Sequence, residues 1–301
     1  MASEGNAQQR KLRERLLATV EAAVGGATRR ALADADDAGA EVPSLAQRFR
    51  DRLTHVEARR QANLEAVFAI ALDEVGARSA GSGPVDPVWL DRFVALAGTV
   101  HDDALRRVWA LALAHEVARP GSVARRTLAA LADLEPRDLA LFTKLARFVI
   151  LNFVVRLEDA FFADKGLQVD DFLYLEEIGL VRPGGGQAKT FTSQAEDGFV
   201  THLLYRDRVL RVTHEDVGKS LSFPCYRLTT AGSELSELID CTEDNDYVVG
   251  IVALLRKRGY QAVHADILRR GDRTTVLTHS RFCEIEIWEH RRRQRLARRG
   301  R

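Results

Sequence analysis

Cysteine is scarce in this chain of 301 residues: Cys225, Cys241 and Cys283 are too few and too scattered for a disulfide framework or a zinc site. They are read as free thiols. Long apolar runs are missing too. The best candidate, residues 148–157, is broken by Asn152 and Arg156 and falls short of the roughly 20 apolar residues that span a bilayer, so no membrane span is expected. The opening MASEGNAQQRKLRERLL has no apolar core of the kind an export signal carries, which makes a cytoplasmic location the expectation. Nor is there an excess of charge: 44 Lys and Arg meet 43 Asp and Glu, for a formal +1. A uniformly basic coat for nucleic acid is thereby excluded. The balance conceals an asymmetry, because residues 289–301 hold seven arginines against one glutamate, a local +6 that leaves the rest of the chain at −5.

Catalytic signatures are equally sparse. A nucleophile elbow and paired zinc ligands are absent, and Gly184-Gly185-Gly186 is not followed by the Lys and Ser/Thr that open a phosphate-binding helix. It reads as a loop. His115-Glu116 lacks a second histidine four residues on, so the metalloprotease pattern fails. His214-Glu215-Asp216 and His264 with Asp266 would make a metal site only if the fold brought them to one point. No catalytic residue, cofactor or metal ligand is assigned.

What the chain does have is helical periodicity. Between Pro84 and Phe148, four short apolar stripes are separated by start and stop signals. Asp86 caps a helix that has Pro87 in its first position and ends near Gly98. Asp102 or His101 opens a second, with Leu105, Val108, Trp109, Ala112, Leu113 and Val117 on one face, and Pro120-Gly121 stops it. Ser122 is expected to cap a third, and Pro136 begins a fourth that carries Leu139, Phe142 and Leu145. Trp89, Trp109, Leu113, Leu128 and Phe142 are the expected structural core of a helical bundle.

Before this group, residues 1–44 form an amphipathic segment with Leu12, Leu16, Leu17, Val20 and Val24, followed from residue 27 by a polar linker or frayed helix. Ser44 then caps a pattern from Leu45 to Val75. Such a helix is about 45 Å long at 1.5 Å per residue, longer than the bundle needs, and its first half is free to pair with a second chain. Residues 148–166 read as the continuation of a buried helix. Beyond them come a short helix from Asp170-Asp171, strand-like segments at 199–214 and 223–229, and a helix SELSELID after Thr230-Ala231-Gly232. Those are winged-helix ingredients. A further α+β segment spans 246–288.

The expected architecture is mostly α, α+β overall. An N-terminal segment (1–44) precedes a helical bundle (45–165) and a winged-helix-like domain (167–240), with an α+β appendage (246–288) and an arginine-rich tail (289–301). Abundant helix-packing signals with no convergent polar site point to a non-catalytic interaction or regulatory protein, with a protein partner or a homo-oligomer as its company. The alternative is a nucleic-acid binder that uses the winged helix and Arg291, Arg292, Arg293, Arg295, Arg298 and Arg299. The acids of SELSELID, Glu234, Glu237 and Asp240, weigh against it, since an acidic helix is repelled by phosphate.

The runs RRQANLEAVFAIAL, PVDPVWLDRF, DALRRVWALALAHEVARPGSVARRTLAALADLEPRDLALF and YLEEIGLV with YRLTTAGSEL resemble a bacterial family known only as a domain of unknown function. The likeness covers roughly residues 45–240, and Trp109 to Thr127 is its most specific part. His115 departs from the pattern, which has a small residue or glycine there. More distantly, residues 109–142 are similar to alpha-type abortive-infection proteins, a resemblance that implies a role in antiviral defence and names no reaction.

Overall fold

The computed structural model describes residues 2–34, 42–75, 83–184, 187–270 and 275–284, and among them the chain is α+β and mostly helical. Cα packing divides it into two units, residues 1–118 and 119–301. No helix among the described residues is long and apolar enough to cross a membrane.

The first unit is all helical: α1 (Ala2–Val24), α2 (Gly26–Ala33), α3 (Leu45–Val75), α4 (Pro87–Ala97) and α5 (Asp103–Ala118). Gly25, at φ 90°, separates α1 from α2 in a conformation that suits glycine. Part of the expected linker is thus a helix. Ala27 and Ala31 are buried, and the Ala27 N–H at the start of α2 donates to Asp51 Oδ2 of α3 at 2.8 Å. Asp86 caps α4 by accepting from Val88 N, and Asp102 caps α5 by accepting from Leu105 N, both as the sequence predicts. Inside, Trp89 stacks on Phe93 with ring centroids 5.2 Å apart, and Phe93 meets Trp109 edge-on at 5.4 Å. All three rings are buried, and a buried Phe alone contributes about 1.5 to 3 kcal/mol.

The second unit starts with α6 (Arg125–Asp133) and α7 (Pro136–Ala146), followed by β1 (Phe153–Val155), α8 (Asp159–Asp164) and α9 (Val169–Glu177). Then come β2 (Ala188–Phe191), β3 (Phe199–Tyr205), β4 (Arg208–His214), β5 (Leu221–Arg227), α10 (Thr230–Leu238), α11 (Asn245–Lys257), β6 (Gln261–Arg270) and β7 (Val276–His279). One antiparallel sheet has the order β1-β5-β2 and the other β3-β4-β6-β7. The β3–β4 hairpin is inserted between β2 and β5. Phe148, Phe162, Phe172, Tyr226 and Tyr247 form a chain of ring contacts through this interior.

Three sequence expectations change here. The helix predicted over residues 148–166 gives way to a tight turn at Leu151 (φ 56°) and to β1, whose Val154 and Val155 pair with Tyr226 and Cys225. A run of bulky apolar residues suits a buried strand as well as a helix, and the deciding partner lies some seventy residues away. Ser122 does not cap α6. The N-cap is Ala124, whose N–H donates at 2.8 Å to Glu234 Oε2 of α10. The grouping of 45–165 into one bundle also differs from the observed units: Trp89 and Trp109 are interior to the first, Leu128 and Phe142 to the second. Leu113 is only partly buried.

Candidate functional site

The residues with catalytic potential do not converge. No group of three or more His, Cys, Asp or Glu side chains among the described residues is placed to hold a metal ion. His214 ends β4 with its ring 5.2 Å from that of Tyr260, and its Nδ1 accepts from Asp216 N at 3.0 Å. His264 is buried in β6 opposite Leu210. His115 is half-buried in α5 beside a buried Glu116. Arg291, Arg292, Arg293, Arg295, Arg298 and Arg299 lie outside the described residues.

Charge does converge at one place, and there it is used for structure. Asp244, buried, caps α11 by accepting from Tyr247 N, and it pairs with Arg147 at 2.9 Å and Lys165 at 3.1 Å. Tyr205 donates its hydroxyl to Arg147 O and accepts from Asp244 N at 2.8 Å. Asp244 thus fastens the ends of α7 and α8 and the start of α11 through its carboxylate, and strand β3 through its backbone N–H. Hydrogen bonding to Asp246 raises the Lys165 ammonium above its ordinary range in spite of the desolvation that lowers it, and Asp244 adds to the rise. Burial also pushes up the phenols of Tyr205 and Tyr247, so both stay neutral donors. The carboxylate at the centre of this cluster is buried, and the cations around it are partly exposed.

The short motifs behind the family resemblance have similar employment. Asn63 of Arg-Gln-Ala-Asn is buried in α3, donates to Gly98 O at 2.9 Å and accepts from Arg106 Nη2 at 2.8 Å. Asp86 and Trp89 of Pro-Val-Asp-Pro-Val-Trp are a helix cap and a core ring. Gly121 of Pro-Gly-Ser sits at φ 83°. In Leu-Thr-Thr-Ala-Gly, Thr229 caps α10 and reaches Gly179 O, while a Cβ on Gly232 would collide with Leu180 O. These residues join elements of the fold.

The feature that packing leaves unfinished is on α3. Leu45, Phe49 and Leu53 point the same way as Asn63, Val67 and Ala71, because each pair is separated by five turns of helix. The second set is buried, Val67 completely, where α5 and α4 pack on α3. The first set is 74%, 53% and 47% exposed. Asp51, His55 and Arg59, on another face of the same half, bind Ala27 N and Ala22 O of the α1–α2 hairpin. The stripe itself continues past its covering helices into solvent. Its margin is basic: Arg48, Arg50, Arg52 and Arg60 flank it, the last paired with Glu57. Arg52 lies over the Phe49 ring at 5.6 Å.

Residues 47–158 match the sequence model of a family described as "Protein of unknown function (DUF2806)". The matched segment holds nearly all of α3 and runs through α4 to α7 and β1. No curated protein and no solved structure matches the chain.

Proposed function

We propose that the protein is a non-catalytic interaction protein whose docking face is the first half of α3, and that its occupant is an amphipathic helix of another protein with acidic flanks. The observation that carries this reading is that one face of a single helix is buried over Asn63 to Ala71 and carries exposed Leu45, Phe49 and Leu53 at its other end. A contiguous exposed apolar face marks an interaction site, and helix pairing through positions three and four apart is the mode such a face serves. The arginine margin selects for acids. It also disfavours a second copy of the chain across a two-fold axis, since arginines would face arginines.

The second unit fits a protein-contact role as well. Its order α7-β1-α8-α9-β2-β5, with the sheet order β1-β5-β2, supports a winged-helix-like reading in which β3 and β4 are inserted at the wing. In that reading α9, and not the SELSELID helix α10, takes the place of the recognition helix. Its exposed residues include Asp170, Leu173 and Glu177 and no base, which phosphate would repel.

Affinity capture with the full chain, in parallel with a Phe49→Ser/Leu53→Ser variant, tests the proposal. A protein retained by the parent, lost by the variant and released as salt rises is the expected result. Equal capture by both chains, a mass in solution that doubles through this same stripe, or retention of nucleic acid in place of protein would each overturn it.

A further inference from the structure

One face of the four-stranded sheet carries a pocket that the interaction reading does not use. It has a volume of about 520 Å³, with Phe191, Leu204, Val209 and Val276 as apolar lining and Gln194, His202 and His279 as polar lining. Among the described residues no carboxylate lines it. That size lies within the range of small-molecule sites, as does an apolar floor with a few convergent polar groups. Leu204 and Val209 belong to a small hydrophobic cluster with Ala265, packed by Ile267, Val276 and Phe282, so the floor is fixed by the sheet.

Positive charge gathers beside this floor. His202 on β3 stands directly opposite Arg211 on β4, and directly opposed residues of an antiparallel pair point to the same face. Arg211 lies over the Phe282 ring at 4.4 Å; its Nε is buried without a hydrogen-bond acceptor, and it makes no ion pair among the described residues. A guanidinium held over an aromatic ring, with no carboxylate partner among the described residues, is suited to an anion. His202 Nδ1 lies 3.0 Å from Gln194 Oε1, which assigns the proton to Nδ1 and leaves Nε2 for another partner. The charges acting on His202 are those of Arg211 from β4 and His279 from β7; burial, then these two, hold its imidazole below the ordinary range. A bound anion would reverse that.

We infer that this pocket binds a small organic anion, an oxyanion group such as a phosphate or carboxylate carried on an apolar body. The oxyanion would lie between Arg211, His202 and His279, and the apolar body would rest on Leu204, Val209 and Phe191. The site belongs to the second unit and stands or falls apart from the α3 docking face.

Calorimetric titration of the full chain with phenyl phosphate, benzoate, inorganic phosphate and phenol tests the inference. The two arylated anions are expected to bind, phenol not to bind, and inorganic phosphate to bind more weakly for want of contact with the floor. Whichever of phenyl phosphate and benzoate binds more tightly identifies the oxyanion. Arg211→Gln should weaken the better ligand about tenfold, the scale of one charge-assisted hydrogen bond. Affinity should rise between about pH 7.5 and about pH 5.5 as His202 takes up a proton beside the anion, and His202→Gln should flatten that rise. Should either variant fail to melt cooperatively, the comparison of arylated anions with phenol on the parent chain decides alone. Absence of binding by both arylated anions, binding of phenol as tight as theirs, or unchanged affinity in folded Arg211→Gln would overturn the assignment.

Discussion

Asp244 shows how much one side chain can hold when it is both a helix cap and the counter-ion of two cations. Removing one partner of a buried ion pair leaves the others charged and desolvated, at a cost of about 3 to 5 kcal/mol. The neighbouring Asp246 also pairs with Lys165, at 2.6 Å, but its side chain is 75% exposed, and an exposed pair is worth about 0 to 1 kcal/mol. Urea unfolding of Asp244→Ala and Asp246→Ala should therefore show a large loss for the first and almost none for the second. Equal losses would contradict the assignment of Asp244 as the joint. Nothing local in Cys241-Thr242-Glu243-Asp244-Asn245 announces this role, since Arg147, Lys165 and Tyr205 come from three distant segments. Asp86, by contrast, was readable, because its partner is two residues away.

Elements follow the same rule of distance. The limits of α3 were legible: Ser44 and Gln47 exchange a backbone and side-chain pair at its start, and helix-spaced apolar residues recur as far as Val75. That its first half extends beyond the group it packs on was legible as well, from helix length; that the α1–α2 hairpin covers one face of that half was not. β1 was not, because Phe153 to Val155 become a strand only through β5. Close approach between elements is similarly silent until seen. At Gly232 in α10, an added methyl would meet the Leu180 carbonyl, backbone that cannot swing aside, whereas at Gly250 in α11 it would meet the mobile end of Leu157 at 2.7 Å. Gly232→Ala should lower stability by about 1 to 3 kcal/mol through overpacking, more than the roughly 1 kcal/mol that helix propensity returns. Gly250→Ala should be near neutral or stabilising. Chemical denaturation of the two variants checks the order, and a Gly232→Ala protein as stable as its parent would contradict the contact.

For the molecule as a whole, histidine burial sets a response to acid. Burial lowers the affinity of His202 and His264 for protons, from an ordinary value of 6.5. The unfolded chain therefore takes up protons as pH falls through 6.5 while the folded chain resists, and stability should decline from that point downward. Glu243 acts in the opposite direction at lower pH: burial raises its carboxyl above 4.5, so the folded state accepts its proton first. Melting temperatures should fall from about pH 7.5 to about pH 5.5, and a midpoint that stays level or rises would refute this balance. Chain order matters at this scale too. Glu234 receives Ala124 N and Thr127 Oγ1 from residues 110 and 107 positions earlier. A polypeptide leaving the ribosome thus exposes the start of α6 long before its carboxylate partner is translated, so the second unit reaches its final arrangement late in synthesis, and a chain cut short ahead of α10 is left without that anchor.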